Sequence, residues 1–329
     1  MKAVVEFIIE KITNLNSLYL NIGYLFTLFL TKHLITSVVF PSLLYIILGY
    51  SSGAIIILSI LNLLGFVKIN NTEITDLKGI LSYSLCYGLS LLTSIIALHK
   101  LTLPTFAFIK GTSIIFTCII NYQAYNLIQN RRSHLFVVII MLMLILMYVT
   151  DPKCTPIGYI SGLCHAYLVS EGKHIYNRKI NHSIFNIPSL IFYSSTIIII
   201  PIILFAHSNG DSAVVIFFLR HNFISASTLY LYIFLSIVGI LLNFMNLIPK
   251  ERQSFDNSNY LKNIVGLISI FGGMIFTKDY IFDFFNFISL SLGFLCLSLL
   301  NLEVSKYYGN DHIQLLPHAY NERNQNSLE

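Results

Sequence analysis

The chain has 329 residues, of which 55% are hydrophobic and only 11% are charged. Soluble domains carry about 25% charged residues, so the composition excludes an ordinary soluble enzyme and indicates an integral membrane protein. The formal net charge of +5 is modest, and no basic block or Gly-rich phosphate loop accompanies it, so no nucleic-acid partner is expected. The five cysteines follow no metal or disulfide spacing, and no cofactor is expected.

Long apolar runs recur along the chain and predict an all-α polytopic membrane protein. A membrane-spanning helix needs about 20 apolar residues. The sequence predicts an amphipathic N-terminal segment at 1–17, a ten-helix domain at 18–306 and a polar cytosolic tail at 307–329. The ten predicted spans are 18–37, 40–64, 79–98, 103–124, 134–150, 157–176, 187–206, 227–248, 260–277 and 282–304.

The distribution of basic residues between the loops predicts the orientation in the membrane. An even number of spans places both termini on one side. The opposite loops carry only Lys100, Lys153, Arg220 and Lys278, and the other basic residues outside the spans lie on the side of the termini. By the positive-inside rule, both termini are therefore expected in the cytosol.

Polar side chains within the spans predict a binding site. Lys110 lies near the middle of the fourth span, where a charge costs about 2.5–3.5 kcal/mol on insertion scales. Lysine binds phosphate as a point charge, and an aromatic ring can stack on a flat base. Spans that carry several cations and few acids therefore indicate a site for an anionic solute rather than a proton relay. The candidate substrate-binding residues are Lys32, Lys110, His165, Tyr193, Ser194 and Lys262.

Structural interpretations of the same residues stay open. Lys32 and Lys262 lie near span ends, where they could extend to the interface. His165 and Tyr193 could be interhelical hydrogen-bonding groups. The charged end of the sixth span, with Lys173, is interpreted as a solvated helix end. No catalytic constellation and no metal-ligand set is evident in the spans, so the protein is not expected to be an enzyme.

Several stretches resemble the nucleotide-sugar transporters of the drug/metabolite transporter superfamily, in the branch with UDP-sugar and GDP-mannose carriers. The fourth-span stretch from Lys100 to Lys110 resembles the family's "L-x-L-P-x-F/Y-T-x-x-R/K" pattern. The other similar stretches are Thr31–Ile35 with Phe40–Ser42, Gly158–Lys179, Phe192–Ser195 and the start of the last helices at Asp279–Phe282.

A closer resemblance is to the transmembrane protein 241 group of that branch. It is carried by Gly65–Asn70, by His165 and by Gly272–Phe276. This resemblance implies transport of UDP-N-acetylglucosamine, or a related UDP-sugar, into the Golgi lumen in exchange for nucleoside monophosphate. The endoplasmic reticulum is the alternative membrane, and a homodimer stays open.

The resemblance also implies a fold and roles for the site residues. It implies two five-helix inverted repeats that alternate access to a site near mid-membrane. Lys110 and Lys262 would meet phosphates, His165 the sugar or ribose, and Lys32 would line the cavity or a gate. Tyr193 and the following Ser194 would contact the base.

Two motifs depart from the family pattern. Ser194 and Ser195 stand where the family has asparagines, and the ninth-span stretch Gly266–Ser269 lacks the family's lysine. Lys262, a turn away, is the expected replacement. Two alternatives therefore stay open: a triose-phosphate or other organic-anion exchanger, and a non-transporting membrane protein derived from this fold.

Overall fold

The computed structural model describes residues 17–38, 40–70, 74–125, 130–151, 153, 155–176, 187–221, 223–247, 266–277 and 279–325. These residues form helices and connecting segments, with no strand among them. The helices are α1 (Ser17–Thr36), α2 (Leu43–Leu63), α3 (Ile74–Lys100), α4 (Leu103–Gly111), α5 (Ser113–Tyr125), α6 (Arg131–Thr150), α7 (Pro156–Ile175), α8 (Ile187–Ser208), α9 (Asp211–Arg220), α10 (Ala226–Leu247), α11 (266–272, continued by the π-helical turn Gly273–Thr277) and α12 (Phe284–Gln325).

The predicted fold class, an all-α polytopic membrane protein, is confirmed. Within the described residues, six helices are long and apolar enough to cross a membrane, and shorter apolar helices occur in the first, eighth and ninth predicted spans. The amphipathic segment at 1–16 and the start of the ninth span at 260–265 lie outside the described residues. Helix α12 runs on through most of the predicted polar tail.

One short helix was not predicted. Helix α9 fills what the sequence left as a loop between the seventh and eighth spans. It begins after Gly210, whose φ of +78° lies in the left-handed region, where glycine pays no Cβ penalty. This turn folds α9 back onto α8.

The fourth predicted span is broken at Thr112 into α4 and α5. The Thr112 amide donates to the carbonyl oxygens of Phe108 at 3.2 Å and Ile109 at 3.1 Å. The Thr112 hydroxyl donates to the Ile109 carbonyl at 2.6 Å. The break places Lys110 in the last turn of α4, midway along the span.

The packing of the helices is related between the two halves of the chain. If each span is replaced by its equivalent in the other half, five spans away, the closest-packed pairs are reproduced. The second and seventh spans (α2 and α8) pack together, as do the fifth and tenth (α6 and α12). The third packs on the sixth (α3 and α7), and correspondingly the eighth packs on the first (α10 and α1). Because each half has an odd number of spans, equivalent helices run in opposite directions. Two inverted repeats produce this pattern.

The core between α4 and α12 depends on a glycine. Phe108 and Phe294 are fully buried, with ring centroids 5.4 Å apart in an edge-to-face arrangement. Gly293 lies directly under the Phe108 ring, so a Cβ atom there would overlap the ring. Close approach of the two helices therefore requires the missing side chain.

We expect Gly293→Ala to lower the midpoint of thermal unfolding in detergent, because overpacking a filled core costs about 1–3 kcal/mol. Gly172→Ala is the matched control, since a Cβ there meets its nearest neighbour, Cys86, at an ordinary 3.8 Å. A Gly293→Ala protein as stable as the Gly172→Ala protein would contradict this account of the core.

Candidate functional site

Lys110 lies on the side of its span that faces the other helices. The side chain is half-buried, between the fully buried Phe108 and Ile109 and the buried Thr112. His165 and Lys173, both on α7, are its electrostatic neighbours. The cation therefore lies within the bundle rather than at the lipid surface.

His165 is held with one ring nitrogen free to accept a hydrogen bond. Its Nδ1 lies 2.9 Å from the carbonyl oxygen of Ser90 on α3. Because a carbonyl oxygen only accepts, Nδ1 carries a proton, and in the neutral ring Nε2 keeps its lone pair. The ring also lies 5.9 Å from that of Phe106, one turn before Lys110. Nε2 is buried and has no hydrogen-bond partner among the described residues, so it is an unused acceptor near Lys110.

Small residues and one hydroxyl fix the position of α7 against the fourth span. Gly162 packs on Ile109, where a Cβ atom would meet the isoleucine at 3.0 Å. Further along, the Ser170 hydroxyl donates to the Ser113 carbonyl at 2.7 Å. This carbonyl lies in the first turn of α5, just after the break, and it also accepts from the Thr117 hydroxyl at 2.9 Å. The Ser170 bond therefore ties α7 to the start of α5.

Lys173 is exposed, as expected of a solvated helix end, but it also lies on the packed side of its helix. It lies seven residues, or nearly two turns, after the fully buried Ala166, so it shares the bundle-facing side of α7. The outward stripe of this helix is Ile157, Ile160 and Tyr167, which are 65%, 62% and 45% exposed. The exposed Lys173 side chain therefore starts from the side of α7 that faces the other helices. The spacing from Ala166 was the sequence signal for this placement.

Tyr193 lies at the end of the bundle that carries the connection between α2 and α3. Its hydroxyl donates to the Asn70 carbonyl at 3.2 Å. The ring packs against a cluster that includes the buried Tyr83 and Tyr176. Gly172, next to Lys173, approaches the same Tyr83 ring, at 3.9 Å from an added Cβ. The tyrosines therefore border the Lys173 region on the side away from His165.

The serines that replace the family's asparagines are buried on α8. The Ser194 hydroxyl donates to the Ile191 carbonyl of its own helix at 3.1 Å. The Ser195 hydroxyl has no hydrogen-bond partner among the described residues. Base contact by Ser194 stays a prediction, as do the other assigned roles.

Lys32 is almost fully buried at the opposite end of the bundle from Tyr193. Its ammonium donates to the carbonyl oxygens of Leu98 at 2.5 Å and Leu101 at 2.6 Å. It also forms an ion pair with Asp279 at 3.3 Å. We call this the Asp279 end. The structure thus places Lys32 apart from Lys110, His165 and Tyr193.

Two buried carboxylates gather the polar groups of the Asp279 end. Asp279 accepts from the Leu103 amide, the first of α4, at 2.9 Å and from the Thr277 hydroxyl. Asp151, after α6, accepts from the hydroxyls of Thr102 at 3.0 Å and Thr105 at 2.9 Å. Both acids therefore lie at the N-terminus of α4, where the helix dipole favours negative charge. These contacts join α1, α3, α4, α6 and the turn after α11, and so close this end.

Lys262, the remaining candidate, lies outside the described residues. No protein-family model matches the chain. The chain is similar to the UDP-sugar transporter sqv-7 of Caenorhabditis elegans, with 21% identity over 268 residues that cover 80% of each protein. This distant similarity supports a relationship to the nucleotide-sugar transporters. It does not test the transmembrane protein 241 branch, which stays a prediction.

We expect Lys32→Met and Asp279→Asn each to lower the free energy of unfolding, on the order of 3–5 kcal/mol, because each removes one partner of a buried ion pair. The double variant should lose less than the sum of the two single losses. Thermal unfolding of the three variants in detergent measures this coupling, and strictly additive losses would show that the pair contributes none.

Proposed function

We propose that the chain is a nucleotide-sugar transporter that moves UDP-N-acetylglucosamine, or a related UDP-sugar, into the Golgi lumen in exchange for nucleoside monophosphate. The observation that carries the proposal is Lys110 midway along the fourth span, with His165 and Lys173 as its electrostatic neighbours inside the bundle. The similarity to a UDP-sugar transporter over 80% of the chain supports it independently. The endoplasmic reticulum is the alternative membrane.

The arrangement of polar groups suits an extended ligand with a charged centre. Lys110 binds phosphate, and His165, through Nε2, accepts a hydrogen bond from a sugar or ribose hydroxyl. Tyr193 and Ser194 lie on the side where the base would enter, and the half-buried Tyr193 ring is the aromatic surface on which the base would stack. Lys262 is retained as a further phosphate-binding cation on sequence grounds alone.

The closed Asp279 end supports alternating access. In the proposed topology this end faces the lumen, because both termini are cytosolic. Lys32 and Asp279 then form a lumenal gate, which must open for release. The ligand enters from the opposite end, near Tyr193.

Exchange follows from the charge of the site. Two cations close together inside a membrane protein repel each other, and an apolar surrounding makes the repulsion costly. A nucleotide sugar and a nucleoside monophosphate both neutralise these cations. An empty site would have to carry the repulsion between Lys110 and Lys173 through the conformational change, so return with a bound monophosphate is favoured.

Lys110→Ala should abolish uptake of UDP-N-acetylglucosamine in proteoliposomes preloaded with UMP, while the purified protein still folds. The loss follows because the variant lacks the proposed phosphate-binding ammonium. Lys78→Ala, at an exposed lysine on α3, is the matched control and should transport like the unaltered protein. Uptake by Lys110→Ala at the control rate would mean that Lys110 is structural.

The organic-anion exchanger is a second candidate because the hydroxyls of Tyr193 and Ser194 are occupied by Asn70 and Ile191. Such an exchanger would use the same cations without contacts to a base.

Replacement of the Tyr193 ring separates the two candidates. If a base stacks on the ring, Tyr193→Ala should reduce nucleotide-sugar uptake about tenfold or more, since stacking contributes about 1–3 kcal/mol per base. Tyr193→Phe, which keeps the ring and removes only the hydroxyl bond to Asn70, should retain most of the uptake. Equal uptake by the Tyr193→Ala and unaltered proteins, in a counterflow assay against nucleotide sugars and triose phosphates, would favour the organic-anion exchanger.

A further inference from the structure

We propose that Lys173 binds the phosphate attached to the ribose, in both the nucleotide sugar and the nucleoside monophosphate, while Lys110 binds the second phosphate of the nucleotide sugar. This inference rests on the proposed function and assigns its charged centre to two helices, the fourth span and α7. It gives a binding role to Lys173, which lies in the last turn of α7.

The register of α7 places the two lysines at neighbouring depths. The Ser170 hydroxyl is bonded to the Ser113 carbonyl. Lys173 lies three residues after Ser170, and Lys110 lies three residues before Ser113. The fourth and sixth spans run in the same direction. At about 1.5 Å per residue, the Cα atoms of Lys110 and Lys173 are therefore about 9 Å apart along the helix axes. Helical side chains lean toward the N-terminus, and in two helices that run in the same direction both lysines lean the same way. Their ammonium groups therefore keep about this axial separation, within which the two charges still interact.

Lys173 is a cation without a structural partner in the described part of the chain, where it forms no ion pair. Glu171, the nearest acid in the sequence, has the Cys86 thiol of α3 as its electrostatic neighbour. Because residues two positions apart lie on nearly opposite sides of an α-helix, the side chains of Glu171 and Lys173 leave α7 in different directions. Lys32 differs from Lys173 in this respect, because its ammonium group is paired with Asp279 and hydrogen-bonded to two carbonyl groups.

The order of the polar and aromatic side chains along the bundle decides which lysine meets which phosphate. The Tyr83 ring, packed in the same cluster as Tyr193, approaches Gly172 immediately before Lys173. The His165 ring packs 5.9 Å from that of Phe106, which lies one turn from Lys110 toward the N-terminus of α4 and so toward the Asp279 end. A ligand whose base stacks at Tyr193 therefore meets Lys173 before Lys110 and places its sugar near His165. Lys173 then meets the one phosphate that both exchanged ligands share.

The test measures binding of UDP, UMP and uridine to purified protein in detergent. A hydrogen bond to a charged group contributes about 1.5–3 kcal/mol, so Lys173→Gln should weaken both UDP and UMP about tenfold or more. Uridine binding should stay unchanged. Lys173→Arg, which keeps the positive charge, should restore most of the affinity for both nucleotides. Lys110→Gln should weaken UDP more than UMP.

Controls separate this inference from the proposed function. Lys78→Gln should bind like the unaltered protein, and thermal unfolding without ligand shows that each variant folds. Failure of the unaltered protein to bind UDP or UMP would overturn the proposed function, and this inference with it. Unaltered binding by Lys173→Gln, beside normal binding by the unaltered protein, would overturn the Lys173 assignment alone. A loss confined to UDP would overturn the assigned order of the phosphates.

Discussion

The structure depends on how positive charge is held inside an apolar helical bundle. A lysine at this depth is costly unless its ammonium meets polar groups. Lys32 meets this requirement within the protein, through Asp279 and the carbonyl groups of Leu98 and Leu101. Lys173 has no ion pair among the described residues and lies close to the like charge of Lys110. One end of the bundle therefore pairs its buried lysine with an acid, whereas the middle brings two cations together, and in the proposed function these receive an anion.

The difference between the Asp279 end and the middle of the bundle suggests which contacts must change during transport. The Asp279 end joins helices from both halves through ionic and hydrogen-bonded contacts, so it can open only if those contacts separate together. The middle is formed by the broken fourth span and α7, which are held in register by the Ser170–Ser113 hydrogen bond. In the proposed function, ligand binding relieves the repulsion at Lys110 and so lowers the cost of moving the two halves.

The sequence predicted the helices well, because apolar runs of membrane-spanning length are a strong signal. It also located Lys110 and His165 within spans. It missed α9, whose ten residues are too short to stand out, and the break at Thr112, which depends on a side-chain hydrogen bond. It interpreted Lys173 as a solvated helix end, which its exposure agrees with. The face of α7 that Lys173 shares with Ala166 could be recognised as the packed face only from the structure. The partner of Lys32 lies in a distant loop, at a sequence separation that no local pattern reveals.

The central claim is that an opening lined by cations runs between the helices as far as Lys173 and Lys110. Val169, one turn before Lys173, is half-buried on the same side of α7, and Tyr167 lies on the outward stripe. The most direct measurement is labelling of Val169→Cys and Tyr167→Cys, in a background without the native cysteines, by an anionic thiol reagent that does not cross membranes. The account predicts that Val169→Cys is labelled from one side of the membrane, that UDP slows this labelling, and that Tyr167→Cys stays unlabelled. Failure to label Val169→Cys from either side, or labelling that UDP does not slow, would contradict it.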